Sequence, residues 1–263
     1  MLRALWTAAT GMDAQQMKLD VIANNLANIS TTGFKRSRAE FQDLLYQIMK
    51  APGTAASAEN QVPTGIQLGL GVRTAGVQKL FDEGNLSNTL RDLDVAIEGD
   101  GFFQILLPDG QTAYTRAGNF AKDSEGRIVT QDGFLLQPEI TVPEDATTIT
   151  IAPDGTVSIV RAGSTTAEQL GQIQLARFIN PSGLRAIGRN LFLPTDASGD
   201  PVTANPGEGG LGTLAQGFLE ISNVNLVEQM VEMITSQRAY ELSAKVISSA
   251  DNMLQATIQT VGG

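Results

Sequence analysis

Four carboxylates, Asp92, Asp94, Glu98 and Asp100, fall within nine residues of one another. Oxygen ligands in such a group suit a calcium ion, and a pair of them suits acid–base work. Strand alternation, however, puts all four on one face, opposite Leu93, Val95 and Ile97, which is the pattern of a solvated face. The segment Gly207-Glu208-Gly209-Gly210-Leu211-Gly212 meets the G-x-G-x-x-G spacing. It follows Asn205-Pro206 rather than a strand and leads toward Leu219 without a βαβ unit, so a flexible linker is expected instead of a dinucleotide loop. The chain contains no Cys and no His, which removes disulfides, thiolate nucleophiles, imidazole catalysis and the usual zinc ligand sets. Neither G-x-x-x-x-G-K nor G-x-S-x-G occurs. The expectation is no enzyme and no catalytic, cofactor or metal site.

Composition narrows the remaining classes. The 263 residues carry a net charge of −10, with 42% hydrophobic and 17% charged residues, which are globular proportions. A nucleic-acid duplex or an anionic bilayer repels such a chain, and no basic run exceeds Lys35-Arg36. No apolar stretch approaches the ~20 residues of a membrane span. The opening MLRALWTAATGMDAQQ lacks the sustained apolar region of a cleaved secretory signal. A carboxylate hydrolase needs inward acids in an aromatic-lined cleft. Aromatics make up only 5% here, and the single Trp6 lies near the amino terminus.

The elements that position these residues divide the chain in three. All ten prolines lie between Pro52 and Pro206. Outside them, Leu5, Ala8, Met12, Gln15, Leu19, Ile22, Leu26 and Ile29 alternate at spacings of 3 and 4. The carboxyl end does the same through Leu226, Met230, Met233, Gln237, Tyr240, Ala244, Ile247, Asp251, Leu254, Ile258 and Val261. Sustained heptads predict helices that pack as a coiled coil or bundle. Gly33 reads as the stop of the first helix, and a short second helix is expected with Phe41, Leu44, Leu45 and Ile48 on one face. Between the ends the period changes to 2, in Ile66–Val72, Leu93–Ile97, Phe103–Leu107 and Ile173–Leu175. Four Asp-Gly turns, at Gly101, Gly110, Gly133 and Gly155, punctuate these runs. The fold class is thus α+β and multidomain, with amino- and carboxyl-terminal α-helices forming a bundle around a central antiparallel β domain. The expected boundaries are an amino-terminal helical domain (1–45), an extended polar segment (46–65), a β linker (66–92), the β domain (93–206), a linker (207–218) and a carboxyl-terminal helical domain (219–263).

A lone amphipathic helix is marginal in water, so each terminal helix needs a partner, either the opposite terminus or other copies of the chain. The packing positions expected are Leu5, Met12, Leu19, Ile22, Leu26 and Ile29 on the first helix. On the last they are Leu226, Met230, Met233, Tyr240, Ile247, Leu254 and Ile258. Asn24, Asn25 and Asn28 interrupt the first helix, where Asn is a poor helix former. Asn24 and Asn28 share a face, which suits either register control or a solvated stripe.

Three stretches carry a family resemblance. ANNLANISTTGFKR at 23–36, followed by FQDLL, resembles the amino-terminal signature of the bacterial flagellar rod and hook proteins, and its motif residues here are Asn24, Asn25, Asn28, Gly33 and Phe34. DVAIEGDGFFQI at 94–105 and YTRAGNF at 114–120 resemble that family's β domain. SNVNLVEQMVEMITSQRAYE at 222–241 resembles its carboxyl-terminal helix. Within the family, the length and the polar segment from Tyr46 to Gly65 are most like those of distal rod subunits.

The resemblance implies a helical homopolymer with no cofactor: a rigid hollow shaft that transmits torque from motor to hook and conducts exported subunits. It implies subunits that pass unfolded through the flagellar export apparatus and then assemble with their helices in the inner layers. It also implies, as partners, the chain itself, the proximal rod proteins, the hook protein and the P-ring and L-ring bushing. Nucleic acid and membrane insertion are not among them.

Overall fold

The structure, a computed structural model, describes residues 2–51, 64–163 and 166–261. The chain divides into two units: residues 1–26, 37–78 and 225–263 form the first, and residues 27–36 and 79–224 the second.

The first unit contains helix α1 (Leu2–Ala27), strands β1 (Ser37–Asp43), β2 (Tyr46–Lys50), β3 (Ile66–Gly69) and β4 (Val72–Lys79), and helix α2 (Leu226–Val261). The two helices are in contact and antiparallel. Asn25 donates to Gln229 Oε1 at 3.1 Å, and an ideal Cβ on Gly11 would stand 3.7 Å from Ser243 Oγ. The two pairs are equally spaced, fourteen residues along each helix. At 1.5 Å per residue they define a seam about 21 Å long. In the same register, about nine residues of α2, from Met253 onward, run past the start of α1.

Two expectations for this unit need correcting. The amino-terminal helical domain does not reach residue 45, because α1 stops at Ala27 and the second short helix does not form. Phe41 lies in β1 and Ile48 in β2. β1 pairs with β4, and β2 pairs antiparallel with β3 from Tyr46↔Gly69 to Lys50↔Ile66. A helix of about twelve residues is marginal by itself, whereas the strand alternative satisfies its backbone against the returning chain. Leu44 N–H donates to the Gly71 carbonyl at 2.8 Å, and Leu70 N–H to that of Leu45 at 3.2 Å. The middle of the polar segment, residues 52–63, lies outside the described residues.

The second unit is antiparallel β. It begins with β5 (Leu86–Asn88), β6 (Val95–Glu98), β7 (Phe102–Leu106) and β8 (Thr112–Thr115). β7 and β8 form a hairpin at the centre of a nine-stranded sheet. Strands Ala146–Ile151, Thr156–Arg161 and Ala167–Gln172 make a second sheet. Phe103, Ile105, Leu136, Ile159, Ile173 and Leu175 belong to the buried core. The expected turns fall into place: Gly110, Gly133 and Gly155 each adopt a positive φ between consecutive strands. Asp100-Gly101 differs. It links β6 to β7, which do not pair, since β6 pairs with strand Thr213–Gln216.

That pairing also alters the reading of residues 207–218, which are not simply a linker. The glycine-rich run closes on itself through Gly207 N–H to the Gly212 carbonyl at 2.9 Å and leads directly into strand Thr213–Gln216. With a strand after it and no helix to receive a pyrophosphate, it has no dinucleotide-binding geometry. Downstream, strand Phe218–Glu220 pairs with β5, and α2 begins only at Leu226.

Candidate assembly surface

The helical unit is built backwards for a free-standing protein. On α2, the buried residues are Gln229, Ser236 and Ala250, with Met233, Ala239, Ser243 and Ile247 half-buried between them. These residues recur every three or four positions and form the face in contact with α1, whose buried residues are Ala14, Ile22 and Asn25. The contact face is therefore mostly small or polar. Meanwhile Val227, Val231, Ile234 and Leu242 are exposed. At about 100° per residue these four lie roughly 150° around α2 from the buried face. Met230, Val246 and Met253 extend the outward apolar stripe, and Trp6 and Met17 are exposed on α1.

The packing positions expected from sequence fall between these two faces. Ile22 is buried, while Leu5, Met12, Leu19, Leu26, Ile29, Met233 and Ile247 are half-buried. Leu226, Met230 and Tyr240 are exposed. The side chains of Leu254 and Ile258 lie outside the described set. A strict heptad follows the larger side chains, and on a straight helix this row sits about 70° from the small-residue row that lets two backbones approach.

Among the three asparagines, Asn25 is the one that is buried. Its amide donates to the Ser37 carbonyl at 2.8 Å as well as to Gln229, and its Oδ1 accepts from Ser37 N–H at 2.8 Å. This side chain fixes α1 against both α2 and the start of β1. Asn24 is exposed and Asn28 half-buried. Asn25→Ala is expected to lower stability by about 2–3 kcal/mol by leaving buried partners unsatisfied. Asn24→Ala is expected to change it by well under half of that, as chemical denaturation of the two variants will show.

The β unit contains a polar site that no local pattern announced. Lys35, Arg116 and Glu220 are all buried. Lys35 Nζ lies 2.5 Å from Glu220 Oε1 and donates to the Asp82 carbonyl at 2.6 Å. Arg116 Nε reaches Glu220 Oε2 at 2.8 Å, and its Nη1 donates to the carbonyls of Gly99 and Gly101 at 2.7 and 2.8 Å. Gly84 N–H completes the cage on Glu220 at 2.8 Å. Burial alone would raise the Glu220 pKa, but the Arg116 and Lys35 charges outweigh it and hold the carboxyl below its ordinary value. Burial pulls the Lys35 ammonium down, against the opposing field of Glu220. Beside this triad, Gly33 (φ +68°) donates its N–H to the Glu220 carbonyl at 2.8 Å. A Cβ there would stand 2.6 Å from Ala117 N, so Gly33 serves this close approach; α1 has already ended at Ala27. Phe34 is buried under the Lys79 ammonium, which sits 4.9 Å from its ring centroid. The triad thus anchors within the β unit the stretch that follows α1 and the strand that precedes α2.

The carboxylate group is not a site. Asp92, Glu98 and Asp100 are exposed, and among the described residues no three acidic groups converge to hold a metal ion. Asp94 departs from the expected solvated face, with 1% exposure. It precedes a strand buried on both sides, since Val95, Ala96 and Ile97 are all inaccessible, and simple alternation does not apply there.

Comparison with known proteins accords with these features. Residues 5–35 match the family model described as flagella basal body rod protein. Residues 96–159 match the D1 domain of flagellar hook protein FlgE/F/G, and residues 215–260 the C-terminal model of flagellar basal body rod FlgEFG proteins. The chain is 53% identical over 259 residues to the flagellar basal-body rod protein FlgG of Caulobacter vibrioides, covering 98% of this chain and 99% of that one. It is 51% identical to the FlgG of Buchnera aphidicola from Acyrthosiphon pisum, covering 98% and 100%. It is 43% identical to that of Bacillus subtilis, covering 98% of each.

Proposed function

Because this chain belongs to the family of flagellar basal-body rod proteins, we propose that the outward apolar face of its helical unit is the surface by which copies pack into a helical, hollow, torsionally stiff tube. The chain is a non-enzymatic structural subunit of the distal rod, located in the basal body and assembled with other basal-body components. The observation that carries the proposal is the inverted α2, with small and polar residues against α1 and Val227, Val231, Ile234 and Leu242 toward solvent. Such an apolar row on a soluble chain marks an interaction surface. Contacts that repeat head to tail without closing build a filament instead of a ring.

The tube transmits torque from motor to hook and passes exported subunits along its interior. Its partners are the proximal rod proteins below, the hook protein above, and the P-ring and L-ring around it, with delivery by the flagellar export apparatus. The absence of cysteine leaves no disulfide to obstruct passage of an unfolded chain. The row Leu5, Met12, Leu19, Leu26, Leu226, Met230, Tyr240, Leu254 and Ile258 supplies packing between neighbouring subunits.

Segment 46–65 braces adjacent subunits. The β2–β3 hairpin at its two ends is strongly apolar on its exterior, with Tyr46, Ile48, Met49, Ile66 and Leu68 all exposed. Deleting residues 47–64 is expected to leave polymerisation intact and to give a bent or flexible tube in electron micrographs. A straight and equally stiff tube from the deleted chain would remove the bracing role. The assembly proposal itself is tested by expressing the chain as the only distal rod subunit in a motile cell and imaging isolated basal bodies. Rods present with the full chain and absent with the stripe variant described in the Discussion support it; rods of normal number with that variant refute it.

A further inference from the structure

Leu90 is out of character for its position. It adopts φ +58°, a left-handed conformation that disfavours a leucine, and its side chain is 87% exposed. The loop is nevertheless held in place. Asn88 Oδ1 accepts from Leu90 N–H at 3.1 Å, and Thr89 N–H donates to the Gly217 carbonyl at 2.8 Å. Neither the backbone strain nor the exposed isobutyl group benefits a single chain, so an ordered loop presents Leu90 outward for something else. Arg91 follows it with a largely exposed guanidinium.

The same unit contains a matching depression. A cavity of about 250 Å³ is walled by Phe81, Phe102, Phe178, Ile179 and Pro181. Ile179 stands on its rim with 86% of its surface open to solvent. An adjoining depression shares Phe81, Asp100 and Pro181 with it and adds Asp82 and Glu83, so the shared edge is lined by three exposed carboxylates. An apolar socket with an acidic edge complements an apolar knob followed by an arginine. Knob and socket lie at opposite ends of β6: the loop of Leu90 enters before Asp94, and the socket begins at Asp100. Six residues of extended chain separate these ends by about 20 Å, so the two do not meet within one molecule.

We propose that Leu90, flanked by Arg91, seats in the Phe81–Phe102–Phe178–Ile179 socket of a second copy of this chain, joining β units head to tail. The contact is heterologous and does not close, which is the kind a filament repeats. The inference rests on the reading of the chain as a polymer subunit and adds to it a specific contact between β units.

The cysteine-free sequence makes the test direct. The full chain carrying Leu90→Cys and Ile179→Cys is expressed as the sole copy in a flagellated cell, and isolated rods are treated with a short bismaleimide. The expected result on a denaturing gel is a ladder of covalent multimers. Either single variant should give no ladder, and neither should Leu90→Cys paired with Val202→Cys. Rods that form but yield no ladder, or equal ladders from the Val202 control, overturn the contact and leave the polymer reading standing. If the unmodified chain gives no rods at all, the polymer reading fails and the contact fails with it. As an independent arm, Leu90→Asp is expected to retain the monomer's circular dichroism spectrum and to reduce rod number at least tenfold. An unchanged rod number overturns the proposal.

Discussion

Replacing Val227, Ile234 and Leu242 together with serine is expected to abolish assembly while leaving the folded monomer unchanged. All three lie within about 80° of one another on α2, on the face away from α1, and all are exposed in the single chain. Serine has nearly the same helix propensity as valine and isoleucine, so α2 itself should survive. Full burial of such a side chain contributes ~1.5–3 kcal/mol, and these are about half to two-thirds exposed. Their loss therefore removes about 3–5 kcal/mol per subunit contact, or two to three orders of magnitude in critical concentration. Sedimentation of polymer over a concentration series, with circular dichroism of the supernatant, measures both halves of the expectation. Magnitude also explains why assembly must involve several neighbours. The rigid-body cost of association is ~4–15 kcal/mol, comparable to what one partly exposed apolar stripe can return. A single pairwise contact should be weak, whereas a site on a growing tube that covers several faces at once should hold.

The second large effect is on stability. Glu220→Gln is expected to destabilise the β unit by about 3–5 kcal/mol, because it leaves Lys35 and Arg116 as two buried cations without their shared anion. Lys35→Met should cost less, on the order of 1.5–3 kcal/mol, since Glu220 keeps Arg116. The pH dependence follows from the direction of the Glu220 shift. Its folded pKa is lowered, so its contribution is complete above the unfolded value of about 4.3 and is lost as pH falls through the folded value. Lys35 is also lowered, but its contribution changes only in the alkaline range, where stability rises as the ammonium deprotonates. An acid titration therefore isolates Glu220. The native chain should lose stability steeply below about pH 4, and the Glu220→Gln variant should lose visibly less over the same interval. Urea midpoints at a series of pH values provide the comparison.

The features of this protein legible in its sequence are those written in local pattern. The two helices announce themselves through sustained spacings of 3 and 4, and the β unit through alternation broken by Asp-Gly turns. Local pattern fails where the partner is remote. Phe41, Leu44, Leu45 and Ile48 have helical spacing, yet residues 66–79 claim this stretch as strand. Lys35, Arg116 and Glu220 lie 81 and 104 residues apart in order, and nothing near any of them signals that they share one cage. Asn25 outranks Asn24 and Asn28 because of Ser37 and Gln229, the second of which is 204 residues away. The direction of the α2 seam is hidden for a different reason. Large apolar residues mark the contact face that a heptad predicts, whereas close helix approach here uses Gly11, Ala14, Ser236, Ser243 and Ala250. The apolar row belongs to the neighbours.

The central claim is that the helical unit is completed only by other subunits. Limited trypsin digestion of the dilute monomeric chain, with fragments identified by mass spectrometry, tests it most directly. Few large apolar side chains are buried between α1 and α2, so both helices should open locally and often. The account predicts rapid cleavage at Lys18, Arg38, Arg238 and Lys245, with the region from Lys79 to Val224 surviving as a resistant core. Assembled tubes should resist at all of these positions. A monomer whose helices resist as long as its β core would be a closed bundle, and the outward stripe would no longer account for assembly.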